Sequence, residues 1–133
     1  MECIVFYDSW QMKCCGTPFS LGDSVKWLVS KPGQLYTSVS IGTINYCYEA
    51  HSSDWKNLFV LEGKIEAIKI LYQRYEPSES NPRLLVPVDG MIVEVEHAKV
   101  FEQDIDDTES SGFIVSLNEC TIRPAKKEEV TFI

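Results

Sequence analysis

Residues 58–75 constrain the fold of this chain more than any other stretch. Ile65, Ala67, Lys69, Leu71 and Gln73 alternate with Glu66, Ile68, Ile70 and Tyr72, so the middle of the run carries apolar side chains on both faces. A period of two with many β-branched residues reads as a strand. A strand apolar on both sides is either buried between two layers or bent across a barrel corner. Gly63 is the expected position of a bulge or sharp bend.

The rest of the chain reads as shorter strands between turn signals. Residues 3–10 open with Cys-Ile-Val-Phe-Tyr and read as a buried strand. Residues 11–20 contain Gly16 and Pro18, sustain neither regular period and are expected to loop, followed by a tight turn at Leu21-Gly22-Asp23. Residues 24–29 alternate Val25, Trp27 and Val29 against Ser24, Lys26 and Leu28, a half-buried strand. Lys31-Pro32-Gly33-Gln34 is a turn by composition, residues 35–44 stay open between extended chain and a single helical turn, and residues 45–51 are expected to be extended.

Residues 76–83 are polar and form an exposed loop, and residues 84–88 return as an edge strand in which Pro87 removes a ladder donor. Asp89-Gly90 is expected to make a two-residue turn into a strand over 91–101. An acidic loop at 103–111, a strand at 112–117 and a weak extended run at 130–133 complete the chain. The pattern predicts a mainly β fold with little helix: a small antiparallel β-barrel or sandwich, an SH3-like barrel favoured, in one domain over residues 1–133.

Composition limits the function classes. A chain of 133 residues buries about two thirds of its unfolded surface and needs no covalent staples. Five cysteines, two of them adjacent, do not form a disulfide framework. With no long apolar run and no signal-peptide pattern, the expectation is a soluble, cytoplasmic protein of a reducing compartment, away from membranes. The net charge of −8, from 20 acidic against 12 basic residues, opposes the field that a phosphate backbone demands, so nucleic acid is not an expected partner.

Three readings compete for the cysteines. In the first, Cys14 and Cys15 diverge, one packing inward and the other meeting solvent. In the second, Cys14, Cys15, Cys47 and His51 form a tetrahedral zinc site, the spacing of four from Cys47 to His51 placing both on one side of a turn. The usual Cys-x-x-Cys spacer is missing from this set. In the third, Cys15 is a nucleophile or redox thiol activated by His51.

His97, between Glu96 and Ala98, reads as a solvated face residue, and the carboxylates Asp104, Asp106, Asp107 and Glu109 lack the glycine and closing glutamate of an EF-hand. No phosphate-cradling glycine loop and no Gly-x-Ser-x-Gly elbow is present. Trp10, Trp27 and Trp55 are large enough to fill a core. Alternatively Trp10, Gln11, Tyr46, Tyr48 and Trp55 line a rim that takes an unknown protein, peptide or small ligand.

The pattern Asp8-x-Trp10-Gln11-Met12-x-Cys14-Cys15-Gly16-x-Pro18-Phe19-x-x-Gly22-Asp23-x-Val25-x-Trp27, with Tyr48-Glu49-Ala50-His51 and Gly63-x-Ile65, resembles a family of small bacterial proteins, the DUF6578-like family. The resemblance implies a bacterial, cytoplasmic, single-domain protein and assigns no role to any residue. The expected function is a non-enzymatic binding or interaction module without a cofactor. A zinc-binding protein is the alternative, and a thiol-dependent enzyme stands behind it.

Overall fold

A computed structural model describes residues 2–52 and 54–130. In chain order the elements are β1 (Cys3–Asp8), α1 (Ser9–Cys15), β2 (Phe19–Ser20), β3 (Ser24–Ser30), β4 (Tyr46–Tyr48), β5 (Leu58–Pro77), β6 (Leu85–Val95), β7 (His97–Ala98) and β8 (Glu109–Pro124), with 3₁₀ turns at Trp55–Asn57 and Lys127–Glu129. The chain is mainly β: 54% of the described residues are strand and 10% helix.

The long run at 58–75 is the spine of the sheet. One edge of β5 pairs antiparallel with β8 from Phe59↔Pro124 to Gln73↔Glu109. Its other edge is shared: residues 58–64 pair with β3, and residues 68–77 pair with β6. Because β3 also pairs with β4, β4 with β1, and β1 with β8, the pairings among these four strands and β5 close on themselves, and β6 lies at the outer edge of the six-stranded sheet. Strands β2 and β7 form a separate two-stranded sheet, which joins Phe19 to Ala98.

Register shifts explain how β5 is buried on both faces. The ladder with β8 slips at Glu62/Lys64, which puts Gly63 in a bulge as expected, and again at Ile65/Ala67 and Leu71/Tyr72. Only the middle slip adds a residue to β5, Glu66, and that extra residue moves the inward phase of the strand from Ile65 to Ile68; at the other two the extra residue lies on β8. Ile65, Ile68, Ile70 and Tyr72 therefore enter the main core with Val5, Tyr7, Phe113, Val115 and Leu117. Leu71 instead meets Phe6 and Ile114 on the opposite side, beneath Leu35, Val39 and Ile41.

The main core is aromatic at one end. Tyr7 stacks on Tyr48, with centroids 3.8 Å apart and planes 8° from parallel, and meets Trp27 and Phe113 edge-on. Trp27 is thus a core filler. Burial and the hydrogen bond with Tyr48 push the Tyr7 hydroxyl pKa well above its ordinary range, so the phenol stays neutral.

Several expectations are corrected. Residues 9–15 are helical, where the sequence reads as the end of a strand and a loop. Ser9, Gln11 and Met12 supply the buried side of a seven-residue helix too short to display a 3.6-residue period. Asp89-Gly90 is not a turn: β6 runs through it, paired Arg74↔Asp89 and Gln73↔Gly90, with Val88 as the extra residue of a bulge. Gly90 serves a close approach, since a Cβ there would lie 2.6 Å from Ser38 Oγ.

The pairing of β1 with β4 is parallel, unlike the antiparallel arrangement expected throughout. The strand expected at 91–101 ends at Val95, and the one expected at 112–117 extends to Glu109–Pro124. Residues 35–44 hold no helix or strand. Asp106 and Asp107 adopt positive φ values of 47° and 61° in a tight turn closed by Ile105 and Thr108. Of the extended run expected at 130–133, residues 131–133 lie outside the described residues.

Candidate metal centre

Helix α1 leaves β1 and is held from below. Ser9 Oγ meets Ser110 Oγ at 2.9 Å in a buried contact, and Met12 is fully buried. The Gly16 N–H donates to Met12 O at 3.0 Å and closes the last turn. A Cβ at Gly16 would stand 2.6 Å from Tyr7 Oη and 2.7 Å from Met12 Cα. Glycine is required there by close approach, and its consequence is that the preceding Cys14 and Cys15 are carried out on the exposed end of the helix.

His51 arrives from the turn after β4. Its Nε2 lies 3.2 Å from Cys14 Sγ and 3.1 Å from Cys15 Sγ, and the two sulfurs are 2.7 Å apart. The expectation that the neighbouring thiols diverge, one of them into the core, is therefore wrong. Both are exposed and they converge, because α1 ends here and its last turn faces His51.

Gln11 fixes the imidazole. It is 2% exposed, its Nε2 donates to Tyr48 O at 2.9 Å, and its Oε1 accepts from Ala50 N at 3.0 Å. A carbonyl facing one end and an N–H facing the other determine which way the amide points. Gln11 Oε1 then accepts from His51 Nδ1 at 3.1 Å, which leaves the Nε2 lone pair directed at the sulfurs. Glu49 Oε1 accepts from His51 N at 2.9 Å, and the Trp10 ring lies against the imidazole with centroids 4.7 Å apart.

The hydrogen bond with Cys14, then desolvation and the charge of Cys14, push the Cys15 pKa upward. Burial first, then the Glu49 carboxylate, raises the Asp8 pKa.

Cys14, Cys15 and His51 thus have ligand atoms within 4.8 Å of one another, close enough to hold a metal ion. Cys47, the fourth member of the expected set, is not among them. On β4, Tyr46 and Tyr48 turn to the main core and Cys47, one residue out of phase, packs on the opposite face against the Phe6 cluster. The strand ends at Tyr48 and the chain bends at residues 50–51, so the alternation that sets the side of Cys47 does not carry through to His51.

Of the expected rim, Trp10 and Gln11 flank His51, whereas Tyr46 and Tyr48 pack against the core. Trp55 sits in a 3₁₀ turn under Lys56 Nζ, 5.9 Å from its ring centre. A shallow cleft of about 400 Å³ has Trp27, Tyr48 and Ala50 among its walls. His97 Nδ1 lies 2.8 Å from Ser20 Oγ on the exposed surface. The roles of Gly16 as a close-approach residue and of Tyr48 O as an anchor for Gln11 are not visible in the sequence. The only hint is a glutamine set between Trp10 and Met12 in an apolar setting.

Fold and cluster together define a mainly β protein that presents two thiols and an oriented imidazole at the end of a short helix. A family model described as "Family of unknown function (DUF6578)" matches residues 1–119, and the chain belongs to this family. No curated protein and no solved structure matches the chain. Among the described residues, no helix is long and apolar enough to cross a membrane.

Proposed function

We propose that this protein binds a thiophilic metal ion, zinc in the first instance, through Cys14 Sγ, Cys15 Sγ and His51 Nε2. One observation carries the reading: Nε2 stands within 3.2 Å of both sulfurs while Gln11 takes up the other ring nitrogen. Two soft sulfurs and one imidazole suit zinc and exclude the oxygen-seeking cations magnesium and calcium. A bound cation also supplies the charge that the thiols lack, drawing off their protons.

No other His, Cys, Asp or Glu among the described residues joins the group, so the fourth position falls to water or to a donor from outside. We read the module as a metal-binding unit whose open fourth position takes one donor atom of a protein, peptide or small ligand. The acidic net charge supports a partner other than nucleic acid. Free thiols support a cytoplasmic, reducing setting. The closed pairing of β3, β4, β1, β8 and β5 supports a small barrel of the SH3-like kind. The thiol-enzyme reading is weaker, because His51 Nδ1 meets the neutral amide of Gln11 rather than the orienting carboxylate of a catalytic base.

The test is metal content by mass spectrometry on protein purified without a metal-affinity tag. Near-stoichiometric zinc is expected, lost in Cys14→Ser and His51→Ala and kept in Cys47→Ser. Protein that purifies free of metal and takes up none on addition of zinc overturns the reading.

A further inference from the structure

We infer that Cys14 and Cys15 are a redox gate on this site: oxidation joins them in a disulfide between adjacent residues and expels the metal. The inference rests on the metal reading above and adds a means of control. Its ground is geometric. The two sulfurs are 2.7 Å apart, both are exposed, and each lies within 3.2 Å of His51 Nε2. The other cysteines are placed differently: Cys3 and Cys120 are buried, and Cys47 packs against the Phe6 cluster. An oxidant in solution therefore meets Cys14 and Cys15 first, and the neighbouring thiol is already in position for the second step.

The oxidant class is a small-molecule disulfide. His51 Nε2 accepts the proton of one thiol, and the resulting thiolate attacks a sulfur of the oxidant, breaking its S–S bond and releasing one small thiolate. The neighbouring cysteine, deprotonated in turn, attacks the protein-bound sulfur, forms the Cys14–Cys15 bond and releases the second small thiolate. Two protein thiols have lost two electrons and two protons, and the oxidant has gained them as two thiols. The product keeps neither thiolate ligand, so His51 alone cannot retain the ion. A bond between adjacent residues closes a strained ring, and strain makes a disulfide easier to reduce, so the gate reopens under a reducing thiol.

The experiment treats the full chain, metal-free and zinc-loaded, with glutathione disulfide and follows both by native and peptide mass spectrometry. The metal-free chain is expected to lose the mass of two hydrogens, confined to the peptide containing Cys14 and Cys15. The oxidised chain is expected to bind no zinc, and dithiothreitol to restore both mass and binding. Cys14→Ser and Cys15→Ser are each expected to stop at a glutathione adduct on the remaining cysteine, while Cys47→Ser behaves as the unaltered chain.

A lasting glutathione adduct on the unaltered chain, a bond mapped to Cys3, Cys47 or Cys120, or zinc retained after oxidation overturns the gate while leaving the metal site standing. If the reduced chain takes up no zinc although the mass loss appears at Cys14 and Cys15, the metal reading itself has failed, and the gate with it.

Discussion

Gln11 does more for the candidate centre than its uncharged side chain suggests. One buried amide spans Tyr48 O, Ala50 N and His51 Nδ1, and so ties α1 to the segment that follows β4. Gln11→Ala is expected to lower zinc affinity about 10–100-fold, the usual cost of losing the group that orients a ligand, read by competition with a chromogenic chelator. An unchanged affinity would mean that the imidazole is positioned by Trp10 and Glu49 alone.

At Asp8 the sign runs the other way from most carboxylates. Burial and Glu49 raise its folded-state pKa, so its contribution to stability is present below the unfolded pKa and is lost as pH rises through the folded value. The side chain makes no capping hydrogen bond to α1 that a substitution would sacrifice. Asp8→Asn is therefore expected to raise the melting temperature at neutral pH and to have little effect in acid.

Among the elements, α1 depends on the residue that ends it. Gly16→Ala forces a methyl group onto Tyr7 Oη and the Met12 backbone, and overpacking of that kind costs about 1–3 kcal/mol. Denaturant unfolding should show that loss, with weaker zinc binding in parallel because the displaced turn carries Cys14 and Cys15.

The segment at 35–44 is held by a second buried amide. Gln73 Oε1 accepts from Ser38 N at 2.9 Å, while its Nε2 donates to Tyr75 Oη and Ser111 Oγ, each at 3.0 Å. Gln73→Leu leaves the Ser38 N–H without its acceptor, at about 1–3 kcal/mol, while Tyr75 Oη and Ser111 Oγ keep each other at 2.7 Å. Hydrogen exchange should then show faster exchange of the Ser38 amide, with β8 little changed near Val115.

For the molecule as a whole, the pH dependence of stability tests how the C-terminal end of β8 is fastened. Hydrogen bonds from Arg123 and the Lys126 backbone lower the Glu129 pKa from its ordinary 4.5 to about 2. A depressed carboxylate stabilises fully above its unfolded pKa, and the benefit is lost as pH falls through the folded one. Arg123→Ala is expected to lower the melting temperature above pH 4.5, with the gap to the unaltered chain closing toward pH 2. Both side chains meet solvent, so added salt should shrink the gap as well.

The amino-acid sequence by itself determined the mainly β class, the long central strand, the bulge at Gly63, the edge position of the Pro87 segment and three members of the candidate centre. These are local properties, since alternation, a missing donor or a missing side chain acts on a residue and its immediate neighbours. Tertiary structure decided the rest. Helix α1 is defined by what Met12 and Gln11 are buried against, the passage of β6 through Asp89-Gly90 by its ladder with β5, and the parallel pairing of β1 with β4 by chain closure. Cys47 was lost to the centre through strand alternation, which sends it opposite Tyr46 and Tyr48. Cys14, Cys15 and His51 were joined by contacts across some 36 residues of chain, where only the packed fold sets the distance.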